Sequence, residues 1–243
     1  MNFLDYIFNK LYTLIMGIGD MFYQSLIYDN RYKFIVEGVS NTLIIALFSV
    51  IIGILIGILV ALIRDIYDKK KKLKILNSIV KWYVDIIRGT PVILQLMIIY
   101  YVIFKSVDVP VVLVGILAFG INSGAYVSEI IRAGIQSISV SQTEAGYALG
   151  LKYGQIMRYI ILPQAIKNVL PALGNEFVTL IKETSVGAYI GILELTKASD
   201  IIASRTYDYF FPLILVAMIY FVITFTLSKG VSKLERKLNH VRS

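Results

Sequence analysis

The chain has 243 residues, 57% hydrophobic and 16% charged, against about 25% charged in ordinary soluble domains. So apolar a composition makes lipid the expected solvent, and the formal net charge of +8 then reads as basic loops on one side of a membrane rather than a nucleic-acid footprint. With no cysteine and a single histidine, His240, the sequence excludes a disulfide framework, thiol chemistry and a His-rich metal centre.

Residues 1–31 are mixed in character. Phe3, Leu4, Ile7, Leu11, Leu14 and Ile15 recur at helical spacing with Asp5, Asn9 and Lys10 between them. This predicts an amphipathic helix lying along the membrane surface. A basic n-region and a small-residue cleavage site are missing, so a signal peptide is not expected. Residues 32–243 read as a single transmembrane domain. A spanning helix needs about 20 mostly apolar residues. Span one, Leu43 to Ile63, has no charged residue and contains Gly53 and Gly57, a Gly-x-x-x-Gly pattern common in apolar spans. Span two runs from about Trp82 to Phe104 and is interrupted by Asp85, Arg88 and Gly89-Thr90-Pro91. Span three covers about Val109 to Ile131. Span four, about Ala165 to Ile190, carries Asn175, Glu176, Lys182 and Glu183, and span five covers about Tyr209 to Ser228.

Orientation follows from Lys and Arg. The first inter-span loop holds Arg64, Lys69, Lys70, Lys71, Lys72 and Lys74. The tail holds Lys229, Lys233, Arg236, Lys237 and Arg242, and the segment after span three adds Arg132, Lys152, Arg158 and Lys167. The other side has Lys105, Lys197 and Arg205. Positive residues stay inside, so the N-terminus is expected outside and the C-terminus in the cytoplasm of a multi-pass cell-membrane protein. Tyr100, Tyr101, Phe104, Tyr207, Tyr209, Phe210 and Phe211 would form an outer aromatic belt.

The cytoplasmic segment reads Glu144-Ala145-Gly146, three residues, Gly150, nine residues, Ile160, one residue, Leu162-Pro163. This resembles the coupling loop of ABC importer permeases. Arg88-Gly89-Thr90-Pro91 with Gln95-Leu96, Ala125 to Ile135 with Glu129 and Arg132, and Leu162 to Ala165 with Pro171, Gly174-Asn175 and Lys182 to Ser185 narrow the resemblance. The chain is similar to the histidine/glutamine/arginine/opine class of polar amino-acid permeases over roughly Glu37 to Glu235. Gly146 departs from the usual second Ala, and coupling is expected to survive because both residues are small.

The resemblance implies an all-α membrane protein of the type I importer permease fold. It implies five transmembrane helices, an N-terminal amphipathic helix and a cytoplasmic coupling helix–turn–helix at about 136–163. It also implies two ATPase subunits that bind ATP and Mg, a second permease subunit, most simply an identical copy, and an extracytoplasmic amino-acid-binding protein. Glu144, Ala145, Gly146, Gly150, Leu162 and Pro163 are the expected ATPase-coupling residues. Glu144 is expected to begin a helix, where the dipole favours a carboxylate. The chain has no Gly-x-x-x-x-Gly-Lys-Ser/Thr phosphate loop, so it is not expected to be an enzyme or to bind a cofactor itself.

Ionisable residues inside a bilayer are costly and face cavities or one another. Asp85 with Arg88 and Glu129 with Arg132 stand at i,i+3 near the inner membrane face, and are read as ion pairs bracing the inner gate. Deeper lie Gln95, Asn122, Ser123, Asn175, Glu176, Thr179 and Glu183. As a set they are expected to bind substrate; individually each also fits interhelical hydrogen bonding. Pro91 removes a backbone donor, and broken helices are tolerated where they line a cavity. Two acids on one face of span four, with Lys182 the nearby base, favour arginine, lysine or histidine as the substrate. An ion-gradient-driven secondary transporter is the alternative class. It would need no coupling loop, and five spans do not divide into an inverted repeat.

Overall fold

The computed structural model describes residues 16–240, and the surface helix expected at Phe3 to Ile15 lies outside them. The described residues form helices joined by short turns, without a strand. Helix α1, Tyr32–Lys70, has 39 residues and no break. At 1.5 Å per residue it is about 58 Å long, twice the hydrocarbon thickness. It outruns the expected span, Leu43 to Ile63, at both ends. It stops at Lys71, whose left-handed backbone (φ 53) ends the hydrogen-bond ladder.

The second span departs most from expectation. Helix α2, Lys74–Gly89, starts earlier than Trp82 and does not continue straight into α3, Val92–Ile98. The two are bent by 112° at Thr90 and Pro91. Both break residues are extended, as a proline and the residue before it prefer. A π-turn, Ile99–Ile103, prolongs α3. Helix α4 is Val111–Gln136, and the cytoplasmic segment folds as α5, Val140–Ala148, and α6, Tyr153–Ile156. A π-turn, Met157–Ile161, leads into α7, Leu162–Glu183, followed by a 3₁₀ segment, Thr184–Ile190. The short α8, Leu195–Thr206, lies in the stretch between expected spans four and five, and α9 is Phe210–His240.

By length and apolarity, Tyr32–Lys69, Val111–Gln136 and Phe210–Leu238 can each cross a membrane, and the bent α2–α3 pair makes a fourth candidate. Helix α7 is not among them, because Asn175, Glu176, Lys182 and Glu183 dilute its apolar residues.

The core runs between α1, α4, α7 and α3. Ile45, Leu96, Phe119, Leu180, Ile181 and Ile192 are fully buried there. A reciprocal glycine seam joins α1 and α4. A Cβ on Gly53 would stand 2.7 Å from Ser123 Oγ, and one on Gly57 would stand 2.5 Å from Val127 Cγ1. Conversely, Cβ atoms on Gly120 and Gly124 would meet Ile52 and Ile56 Cγ2 at 2.8 and 2.7 Å. Each helix thus offers a Gly-x-x-x-Gly groove that receives side chains of the other. Between apolar helices in lipid, such close packing supplies the attraction. Ser49, one turn before Gly53, donates its hydroxyl to the Ile116 carbonyl at 3.1 Å.

Glu194, fully buried, anchors α8. Its carboxylate accepts the N–H groups of Thr196 and Lys197, both at 2.7 Å, and the Tyr220 hydroxyl of α9 at 3.0 Å. Asn41 of α1 donates to the Leu193 carbonyl at 2.8 Å, and a Cβ added to Gly38 would stand 3.1 Å from the Glu194 backbone. Leu195, Ala198 and Ile202 then bury one face of α8.

Enlarging the seam with Gly57→Val or Gly124→Leu is expected to cost about 1–3 kcal/mol through overpacking. It should appear as a lower thermal unfolding midpoint in detergent. Gly230→Ala, inside α9 where an added Cβ meets nothing within 4 Å, should not lower the midpoint. An unchanged midpoint for Gly57→Val would refute the seam.

Candidate translocation pathway and coupling surface

The helix break supplies its own repair. Without an N–H at Pro91, the carbonyls of the last turn of α2 lose their ladder partners. Gln95, four residues on, folds back and donates its amide to the Ile87 carbonyl at 2.8 Å and to Thr90 Oγ1 at 2.8 Å. Thr90 Oγ1 in turn donates to the Ile86 carbonyl at 2.8 Å. Asn122 of α4, 2% exposed, donates to Gln95 Oε1 at 2.8 Å. Gln95 and Asn122, expected in the substrate set, are therefore bonded to each other and to the break.

The remaining residues of that set lie on α4 and α7. Ser123, held by the glycine seam, donates to Glu176 at 2.8 Å. Asn175 is exposed; Glu176, Thr179 and Glu183 are half-buried on one face of α7. Neither Glu176 nor Glu183 joins a salt bridge among the described residues. Lys182, their neighbour in sequence, is exposed.

Toward the end of α4, Glu129 gathers three arginines. Arg132 approaches at 3.1 Å, Arg64 of α1 bonds it directly, and Arg88 of α2 stands 3.9 Å away with its guanidinium over the Tyr126 ring. The local Glu129–Arg132 pair is present. The Asp85–Arg88 pair is not: Arg88, at the end of α2, turns toward Glu129. Asp85 is exposed and makes no ion pair among the described residues. Arg64, taken from sequence as a loop charge, lies on unbroken helix and completes the cluster.

The expected coupling segment is a helix–turn–helix. Gly150 (φ +77) ends α5, with Leu151 N–H on the Gly146 carbonyl at 3.1 Å and Gly150 N–H on that of Tyr147 at 2.9 Å. The motif's second glycine is therefore a backbone requirement. Glu144 lies within α5, which starts at Val140, rather than at the helix start. It is exposed, beside Ala145 and near exposed Val140, Tyr147 and Leu149. Gly146 instead faces inward: a Cβ there would be 2.7 Å from Ile156 Cγ1, so its small size serves packing within the hairpin. Leu162 and Pro163, both exposed, open α7 after the π-turn. Tyr153 ties the hairpin to α1 by donating its hydroxyl to the Asp65 carboxylate at 2.9 Å. Burial, then Asp65, pushes the phenol well above its ordinary pKa, so it keeps its proton and goes on donating across the neutral range. A cavity of about 380 Å³ lies beside this link, lined by Asp65, Asp68, Arg132, Gln136, Thr143 and Tyr153 among others. Sequence reading gave no sign of the Tyr153–Asp65 contact, whose partners are 88 residues apart.

The Gln95–Asn122 link predicts non-additivity. In a double-mutant cycle of Gln95→Ala and Asn122→Ala, read by thermal stability in detergent, the coupling should be about 0.5–3 kcal/mol. Simple additivity would count against the link.

Residues 53–240 match the family model of the binding-protein-dependent transport system inner membrane component. The putative glutamine transport system permease protein GlnP of Rickettsia bellii is 40% identical over 220 residues, 90% of this chain and 99% of the relative. The arginine transport system permease protein ArtQ of Bacillus subtilis is 39% identical over 207 residues, 84% and 92% of the two chains. A crystal structure of an amino acid ABC transporter with histidines superposes with a TM-score of 0.80 at 42% identity, covering 87% of this chain and 97% of that one. With its glycine-packed helices, broken second span and exposed hairpin, the chain belongs to the binding-protein-dependent inner membrane permeases, the membrane subunits of ABC amino-acid importers.

Proposed function

We propose that this chain is the transmembrane subunit of an ATP-driven importer that carries polar amino acids, basic ones preferred, into the cytoplasm by alternating access. The observation that carries the substrate preference is the pair of α7 carboxylates, Glu176 and Glu183, half-buried and without a salt bridge among the described residues. A desolvated acid attracts a cation far more strongly than one in water. Ser123, Asn175 and Thr179 complete the polar surface. Gln95 and Asn122 hold the wall behind it, at the break of α2 and α3. Relatives named for glutamine and for arginine fit a shared site for the amino-acid backbone, with side-chain preference set by local charge.

In this reading α1, the broken α2–α3 pair, α4, α7 and α9 are the five spans, with the N-terminus outside and the C-terminus in the cytoplasm. Helix α7 crosses as the polar-faced span because its charged side is turned to the pathway rather than to lipid. Two ATPase subunits, a second copy of this chain and an extracytoplasmic amino-acid-binding protein complete the transporter, and ATP with Mg is bound by the ATPase. The exposed surface of Glu144, Ala145, Tyr147 and Leu149 docks on the ATPase. The Tyr153–Asp65 bond passes displacement of the hairpin to α1, and the Glu129 cluster braces the inner ends of α1, α2 and α4.

Reconstitution of the complete transporter tests the reading. ATP hydrolysis should be stimulated by arginine, lysine or histidine delivered by the binding protein, and Glu176→Gln or Glu183→Gln should weaken that response at least about tenfold, the worth of one charged hydrogen bond. Stimulation by glutamine alone would overturn the basic preference. Uptake driven by an ion gradient without ATP would overturn the importer. Glu144→Lys should leave membrane insertion intact while severing transport from hydrolysis; normal transport in that variant would remove Glu144 from the coupling surface.

A further inference from the structure

Helix α2 has three sides. Val80, Val84, Tyr83 and Ile87 pack on Val60 and Ala125, with the Tyr83 hydroxyl donated to the Ile121 carbonyl. Lys74, Lys81 and Asp85 form a polar side. Ile75, Ile79, Trp82 and Ile86, spaced i, i+4, i+7 and i+11, form a third side that is 80, 59, 71 and 52% exposed. Lysines crowd the start of the helix. Lys69, Lys71, Lys72 and Lys74, with Lys81 two turns on, are exposed, against Asp68 and Asp85 nearby. The left-handed backbone of Lys71 and Leu73 (φ 53 and 59) folds this run into a tight turn between α1 and α2. Leu96 of α3 is buried in the core, and the 112° bend turns α2 sharply away from the direction of α3.

An exposed apolar side carrying tryptophan, beside a lysine-bearing polar side and a lysine-rich turn, matches the physics of a helix that meets an anionic membrane surface before the chain turns into the bundle. We propose that α2 and the Lys69–Lys74 turn are a docking element for anionic lipid headgroups. Ile75, Ile79, Trp82 and Ile86 sit among acyl chains, and the lysines hold lipid phosphates at the rim. Charge complementarity selects this occupant over a zwitterionic annulus. Assigning the contact to the inner leaflet rests on the topology proposed above.

Trp82 is the only tryptophan of the chain, so it reports on its own surroundings. The assembled transporter is reconstituted in vesicles containing brominated phosphatidylglycerol or brominated phosphatidylcholine in both leaflets, which makes the result independent of topology. The signal of a matched Trp82→Phe complex is subtracted to remove partner tryptophans. Trp82 should be quenched by both lipids, with a relative affinity for the anionic one at least roughly fivefold higher, the worth of a single interfacial lysine. Replacing Lys71, Lys72, Lys74 and Lys81 by Gln should abolish the excess, and replacing them by Arg should retain it. Salt at 1 M, where the Debye length is about 3 Å, should also abolish it. Equal quenching by the two lipids would overturn the proposal. So would quenching by neither lipid, the result expected if a protein partner covers this side, or quenching by aqueous iodide alone.

Discussion

Everything in the membrane part of this molecule depends on how closely α1 and α4 approach. Gly53 and Gly57 on one helix and Gly120 and Gly124 on the other each leave space that the facing helix fills, with Cβ positions already 2.5–2.8 Å from opposing side-chain atoms. Lipid tails are as apolar as leucine, so these helices gain nothing by hiding hydrocarbon from water. They gain by dispersion at short range, which small residues permit. That approach brings Ser49 within reach of a carbonyl, sets Ser123 at the level of Glu176, and lets Arg64 reach Glu129. The polar chemistry of the bundle is thus positioned by residues that carry no chemistry.

Two groups of buried charge are treated in opposite ways. Glu129 is surrounded by three guanidiniums and sits in a local excess of positive charge. Glu176 accepts the Ser123 hydroxyl, and neither it nor Glu183 joins a salt bridge among the described residues. An ion cluster of the first kind fixes geometry, because each charge loses much if its partner withdraws. An acid of the second kind leaves room for a cation from outside. The ion-paired acid thus lies where α1, α2 and α4 come together, apart from the two on α7 that form no salt bridge among the described residues.

Strong local signals were legible in the sequence. The charge-free run of α1, the proline break and the two glycine-bounded halves of the hairpin each follow from composition or backbone chemistry within a few residues. Long-range partners were not. The i,i+3 rule sees Arg132 beside Glu129 but not Arg64, 65 residues away, and it paired Asp85 with an Arg88 that turns elsewhere. The bonds of Gln95 to the break depend on a bend that spacing does not reveal. Helix α8 hid because Lys197, Asp200 and Arg205 give it the composition of a loop, although Leu195, Ala198 and Ile202 mark its buried face. Gly146 appeared interchangeable with alanine because motif comparison ignores which way a residue faces.

Helix α1 has a further consequence. It bonds Tyr153 through Asp65 near one end and holds the start of α8 through Asn41 and Thr42 near the other, with no proline or hinge between them. A helix without a joint cannot bend to absorb a shove; it tilts or slides as a rod. The two attachment points are 23 residues apart, about 35 Å along the axis. A displacement at one attachment point would therefore reach the other with little loss, and the glycine seam is the surface along which such a rod would turn.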